Sequence, residues 1–220
     1  MRYYKNLTVR ISKNGLCWTF NYYVKRIRAL IFSFCYFHRA DIKIDPSASM
    51  GGLKYIKLGN NFMAGRGLWL QAYDEYTING YRYLFHPQII IGDNVIVNEY
   101  VHIGCVNRIK IGNNVLMGSK IYITDHNHGV YRGDYPDSPD VPPVQRPLTE
   151  GEAVIIEDNV WLGEFVTVLP GVTIGYGSII GTHSTVTHDI PPKCIAVGSP
   201  ARVIKRWNED THTWDQVAKK

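Results

Sequence analysis

Between Ile156 and Ile190 an aliphatic residue returns every six positions: Ile156, Leu162, Val168, Ile174, Ile180, Val186. A second, smaller series follows four residues behind each: Val160, Val166, Val172, Ser178, Ser184, Ile190. A period of six fits neither a helix, which repeats near 3.6, nor a plain strand, which repeats at 2. It predicts a stack of short strands joined by tight turns, each coil resting on the one before. Gly follows the leading aliphatic at 163, 175 and 181, where a turn wants a residue without Cβ strain.

Earlier in the chain the period is looser. Asx-rich turns recur as Gly59-Asn60-Asn61, Gly92-Asp93-Asn94, Gly112-Asn113-Asn114 and Glu157-Asp158-Asn159. Each follows an aliphatic residue, so the unit returns at 58, 91, 111 and 156 with insertions between. Two segments leave the pattern. Residues 72–89 are polar and aromatic and read as a strand pair or loop beside the site. Residues 127–153 hold five of the chain's eleven prolines, and an irregular loop this long inside a compact domain is usually functional. The expected layout is an N-terminal helical segment over 1–40, a coil domain over 41–200 containing the 127–153 loop, and a closing helix over 201–220. The two end segments would cap the open edges of the stack.

The 220 residues suit one domain. With 24 basic and 19 acidic residues the net charge is +5, which favours anionic ligands without requiring nucleic acid. Four scattered cysteines form no CxxC or zinc pattern and read as reduced, buried thiols of a cytoplasmic protein. The apolar run over 29–37 is too short for the ~20 residues a bilayer span needs. The basic, aromatic segment 16–37 reads either as an amphipathic helix packed on the body or a neighbouring subunit, or as a peripheral contact with an anionic inner-membrane surface.

The hexads, together with the stretch 158–207 from DNVWLGEFV to PARVIKRW, resemble the hexapeptide-repeat acyltransferases. Within that superfamily, ITDHNHG at 123–129 looks like the galactoside, maltose and polysaccharide O-acetyltransferases. It looks most like enzymes that acetylate lipopolysaccharide O-antigen or capsule sugars. The resemblance covers about 42–207. It implies an all-β solenoid, a left-handed parallel β-helix, which is an exception to the right-handed crossover rule. It also implies a homotrimer with active sites between subunits, acetyl-CoA as donor, a glycan acceptor and no metal.

Acetyl transfer to a sugar hydroxyl needs a base to take the proton and a donor to hold the oxyanion. Histidine suits the base, since its ordinary pKa lies near neutrality. The resemblance carries that role onto His126, with Asp125 orienting an imidazole, accepting from substrate hydroxyls as an acceptor contact, or serving an Asx turn. His128 and Asn98 are candidate acceptor contacts. Trp161 is expected beside the donor's reactive end, with the thioester carbonyl held near Gly163. Gly163, Glu164, Gly181, Thr182, Thr187 and His188 should line the pantetheine arm, and Arg202 and Lys205 should meet the CoA phosphates. Thr182 and His188 depart from the galactoside-type pattern, where Ala and Lys are common, which weakens His188 as a phosphate contact. The long 127–153 loop suggests a large acceptor.

Two other readings compete. An N-acetyltransferase of an amino-sugar nucleotide would usually add an N-terminal nucleotide-binding domain, for which 1–40 is too short. A zinc-binding coil protein of the γ-carbonic anhydrase type could draw ligands from His102, His126 and His128, but its HxxxxH spacing is missing.

Overall fold

The computed structural model describes residues 9–217. A helix over 9–14 breaks at Gly15 and is followed by α1 (Leu16–Phe37). The remainder is mostly β, built from three parallel sheets that the chain visits in turn. Sheet A stacks β1 (Lys43–Ile44), β4 (Met63–Ala64), β9 (Ile96–Val97), β12 (Leu116–Met117), β15 (Trp161–Leu162), β18 (Ile179–Ile180) and β20 (Cys194–Gly198). Sheet B stacks β2 (Ser49–Gly51), β5 (Trp69–Ala72), β10 (His102–Cys105), β13 (Tyr122–Thr124), β16 (Thr167–Val168) and β19 (Thr185–Val186). Sheet C stacks β3 (Ile56–Leu58), β8 (Gln88–Ile91), β11 (Arg108–Ile111), β14 (Val154–Ile156) and β17 (Thr173–Ile174). Each circuit therefore runs A to B to C, with a tight turn at each edge.

The six-residue period is the length of one side plus its turn. All six leading aliphatics are fully buried, and of the trailing series even Ser178 and Ser184 have no exposed surface. Their hydroxyls are satisfied inside the coil: Ser178 Oγ donates to the Pro191 carbonyl and accepts from Cys194 N–H, and Ser184 Oγ accepts from Gly198 N–H. Stacking thus makes one continuous aliphatic core from Ile42 to Ala201, each fully buried side chain contributing about 1.5–3 kcal/mol over exposure.

The turn glycines serve a different purpose from the one their position suggests. In the turns after Leu162 and Ile180, positive φ falls on Phe165 and His183, not on Gly163 or Gly181. A Cβ on Gly163 would lie 2.8 Å from Thr182 N, and one on Gly181 would lie 2.7 Å from Val197 Cγ1. Glycine is required there because the next coil presses against it.

The C-terminal segment is a strand pair, not a helix. Residues of β21 (Ala201–Asn208) run antiparallel to β20, and β22 (Thr213–Gln216) runs antiparallel to β21. The open edge of sheet A offers unpaired backbone groups, which a strand satisfies and a helix would not. Trp207 and Trp214 are register partners across this pair, their rings edge-on at 5.4 Å.

At the other end α1 lies on β1. Ser33 Oγ accepts from Ile44 N–H at 2.8 Å, and Phe32 and Phe37 pack on the core. Of the cysteines, Cys105 and Cys194 are buried, whereas Cys17 and Cys35 are exposed on α1; the expectation of four buried thiols fails for those two. Within 72–89, residues 73–87 leave the coil as an antiparallel pair, β6 (Glu75–Ile78) and β7 (Tyr81–Leu84), around an Asn79-Gly80 turn with positive φ at both residues, while Ala72 stays in β5 and Gln88 and Ile89 in β8.

Candidate active site

Asp125 and His126 follow β13, at the edge between sheets B and C. Asp125 is completely buried. Its carboxylate accepts from the backbone N–H groups of Val106 (3.0 Å), Asn107 (2.8 Å) and Arg108 (2.8 Å), and from the Cys105 thiol at 3.2 Å. These amides belong to the preceding coil, running from the turn after β10 into Arg108, the first residue of β11. His126 Nδ1 donates to Asp125 Oδ1 at 2.9 Å. Burial raises the carboxyl's pKa. The hydrogen bonds from His126, Val106, Asn107 and Cys105 outweigh that and hold it below the ordinary value. Burial and the neighbouring Asp125 push the Cys105 thiol well up, so it remains a donor. An ionised Asp125 accepting from Nδ1 keeps the His126 proton on that nitrogen, which leaves Nε2 free to take another.

The His126 ring, 12% exposed at its side chain, borders a cavity of about 390 Å³ with an aromatic wall of Trp69, Tyr73, Tyr76, His102 and Tyr122. Three of these are outward ladder neighbours on sheet B, since Trp69 pairs with His102 and His102 with Tyr122. Trp69 stacks flat on His102 at 4.5 Å, and Tyr122 meets it edge-on at 5.0 Å. Burial, and then the proximity of His126, push the His102 imidazole down, which favours its neutral form. Tyr73 meets His126 edge-on at 6.1 Å. Gly104 lines the cavity between the two imidazoles: a Cβ there would stand 3.5 Å from both His102 Nε2 and His126 Cε1, in ordinary van der Waals contact.

The two insertions meet over this cavity. Tyr76 of β6 packs edge-on to His128 at 5.8 Å, and Asn79 Nδ2 donates to the Gln145 carbonyl. Phe85, Val106 and Leu148 form a small apolar cluster under Tyr73 and Tyr76. Arg146 braces the loop from within, donating to the Val141 and Ser138 carbonyls and to Tyr131 Oη.

The expected site residues do not all converge in one chain. Asp125, His126 and His128 come together at the B–C edge. A cavity of about 700 Å³ runs down the same edge from Asp125 past Leu169 and Pro170 to Thr187 and His188, roofed by Tyr131 and Arg132. Asn98 instead follows β9 at the A–B edge, in a separate cavity of about 610 Å³ shared with α1. Glu164 and Thr182 occupy the same A–B edge further along the stack, following β15 and β18. Trp161 sits on the outer face of sheet A, between Leu116 and Ile179. Arg202 and Lys205 lie on β21.

The Gly163 amide is unavailable as an oxyanion donor, because it donates to the Ile180 carbonyl; the Gly181 amide likewise donates to Ala196. Among the described residues the neighbouring amides of Glu164 and Thr182 make no backbone hydrogen bond, so of the expected pairs Gly163-Glu164 and Gly181-Thr182 only the second amide of each is a free donor. Also among the described residues, no three His, Cys, Asp or Glu side chains converge as metal ligands, and the zinc reading lacks a ligand set. Sequence reasoning passed over Trp69, Tyr73, Tyr122 and Gly104. A usable signal existed for two of them: Trp69 and Tyr122 each precede an inward aliphatic, as His102 does.

Residues 153–188 match the family model for the bacterial transferase hexapeptide (six repeats). The chain is 43% identical over 163 residues to the provisionally named lipopolysaccharide biosynthesis O-acetyl transferase WbbJ of Escherichia coli (strain K12), covering 74% of this chain and 77% of that one. It is 30% identical over 196 residues to the galactoside O-acetyltransferase of the same organism, covering 86% and 82%. Among solved structures it superposes on a point mutant of AntD, an N-acyltransferase from Bacillus cereus in complex with dTDP-4-amino-4,6-dideoxyglucose and coenzyme A. The TM-score is 0.60 at 21% identity, over 78% of this chain and 83% of that one, a likeness of fold. With its period-six core, its three parallel sheets and relatives that match over most of their length, the chain belongs to the hexapeptide-repeat acetyltransferase family.

Proposed function

We propose that this protein transfers acetyl from acetyl-CoA to a sugar hydroxyl of a bacterial surface polysaccharide, O-antigen or capsule, or of its precursor. The observation that carries the reading is the buried Asp125–His126 pair facing an aromatic cavity. In the proposed reaction His126 Nε2 takes the hydroxyl proton as the sugar oxygen attacks the thioester carbonyl carbon. The oxyanion is held by a free edge amide, Glu164 or Thr182. Collapse breaks the C–S bond, and the imidazolium returns the proton to the departing CoA thiolate. Asp125 stabilises the imidazolium and fixes its orientation. The aromatic wall offers flat apolar surface to sugar rings, and His102 and His128 offer them polar contacts. O-transfer is preferred to N-transfer because the relatives at 43% and 30% identity are named O-acetyltransferases, while the N-acyltransferase resembles the chain in fold alone.

The coil is read as left-handed and the assembly as a homotrimer. Two observations support the assembly. Met63, Ile96, Leu116, Trp161 and Ile179 make an outward apolar ladder on sheet A, with Ile96, Leu116 and Trp161 over a third exposed. The candidate residues also divide between two edges, so a neighbour's A–B edge laid along this chain's B–C edge would bring Asn98, Glu164 and Thr182 to His126. The donor's pantetheine arm would then lie between subunits, along Thr187 and His188 of one chain, with Arg202 and Lys205 near its phosphates.

The test is thiol release from acetyl-CoA against surface oligosaccharides, free monosaccharides and amino-sugar nucleotides, with His126→Ala as control. The expected result is turnover on oligosaccharide hydroxyls and a fall of about 10²–10⁴-fold in the variant. Activity surviving that change overturns the mechanism, and turnover confined to the amino-sugar nucleotides overturns the acceptor class.

A further inference from the structure

The first forty residues carry eight Lys or Arg and no Asp or Glu, whereas the rest of the chain carries 16 basic and 19 acidic residues. Almost all of this segment's described part is helix, and α1 shows two different sides. One side holds Thr19 and Ser33, both buried, with Phe32 and Phe37 on the core. The other carries Leu16, Phe20, Ile27, Ile31 and Phe34, each more than half exposed. Their spacings of four, seven, four and three residues put them on one stripe, which runs nearly the whole of a helix about 33 Å long. No helix among the described residues is long and apolar enough to cross a bilayer.

From the continuous apolar stripe and the one-signed charge around it we infer that α1 docks flat on an anionic lipid surface. The apolar side chains would enter the headgroup boundary, while Arg28 beside the stripe and the exposed Lys13 of the preceding helix meet lipid phosphates. Lys25 faces the Asn98 cavity and Arg10 lies on the Tyr22 ring, so neither takes part. A stripe of this spacing could also pair with the same helix of another copy. Charge argues against that occupant, because no copy of this segment offers a carboxylate to Arg28 or Lys13, and like charges would meet at the seam. The inference is independent of the acetyl-transfer reading, since none of the stripe residues lies in the His126 cavity.

The test uses the full chain and sedimentation with two vesicle types, phosphatidylcholine alone and phosphatidylcholine mixed with phosphatidylglycerol, at low and high salt. Binding is expected only to the phosphatidylglycerol vesicles and is weakened by salt. In Lys13→Glu/Arg28→Glu the partition coefficient should fall about fivefold or more per cation removed. In Phe20→Ser/Ile31→Ser it should fall to background. Both variants should keep the wild-type unfolding temperature and the wild-type mass by light scattering, because these side chains face away from the core. No binding to the phosphatidylglycerol vesicles overturns the inference, as does equal binding to both vesicle types. A change of assembly mass in Phe20→Ser/Ile31→Ser with lipid binding intact assigns the stripe to a second copy and also overturns it.

Discussion

The coils from Val154 to Gly198 and those from Trp69 to Ala153 are built on the same plan and behave as opposites. In the later coils the sides are short, tight turns join them, and nothing leaves the stack. Their inward positions are uniformly aliphatic or small, and their outward residues are mostly Thr and Ile. In the earlier coils the sides lengthen, the outward positions of sheet B become Trp69, His102 and Tyr122, and two insertions break out at the B–C edge. Among the described residues a buried carboxylate, Asp125, appears only there. The comparison teaches that regularity supplies the frame, and that chemistry collects where the chain departs from it. Parallel sheets stacked coil on coil allow this because each coil answers only to its neighbours.

The sharpest way to break the comparison is at Asp125, where frame and chemistry coincide. Asp125→Asn keeps the size but turns an NH₂ donor toward amides that already donate, and it removes the charge facing His126. Turnover should drop about 10²–10⁴-fold, and the fold should lose about 1.5–3 kcal/mol, measured by thiol release and by denaturant unfolding. The pH dependence has a definite sign. A carboxyl held below its ordinary value in the fold contributes stability that is present above the unfolded value of ~3.9 and is lost as pH falls through the lower folded value. The stability gap between wild type and Asp125→Asn should therefore be constant at neutral pH and narrow only in acid below that range. A gap that widens in acid contradicts the assignment.

A change in the regular coils should separate the two properties. Ile174→Ala, at a fully buried core position, should cost about 2–5 kcal/mol of stability while kcat at a temperature well below unfolding stays as in wild type. A large kcat loss there would mean the frame is not merely a frame. The smallest effect is expected where the insertions touch. Asn79→Ala removes the bond to the Gln145 carbonyl and should change stability by less than about 1.5 kcal/mol. It should raise KM several-fold for long glycans more than for short ones, in a comparison of acceptors of increasing length.

How much of this was legible depends on the residue. The inward series was readable because burial demands an aliphatic side chain at every sixth position and tolerates little else. The departures at 72–89 and 127–153 were readable as failures of that demand. Asp125 was ambiguous, because an Asx turn and a buried carboxylate look alike along the chain; the three amides it satisfies come from the preceding coil. The aromatic wall was missed for the same reason, its members standing 20 to 33 residues apart until the ladder aligns them. Trp207 and Trp214 misled, since a spacing of seven suits one side of a helix as well as partners across a hairpin. The free edge of sheet A made the choice.

The sequence by itself determined the period, and with it the core, the parallel stacking and the places where the chain must leave the stack. These follow from local demands, burial and turn closure, repeated until they become unmistakable. Tertiary structure decided which side chains meet. It put Asp125 under the turn at Val106, set Trp69, His102 and Tyr122 in one column, assigned Asn98 and His126 to different edges, and gave the C-terminus to a sheet. Those outcomes rest on contacts between coils, whose register is set by the whole stack and is written in no single segment.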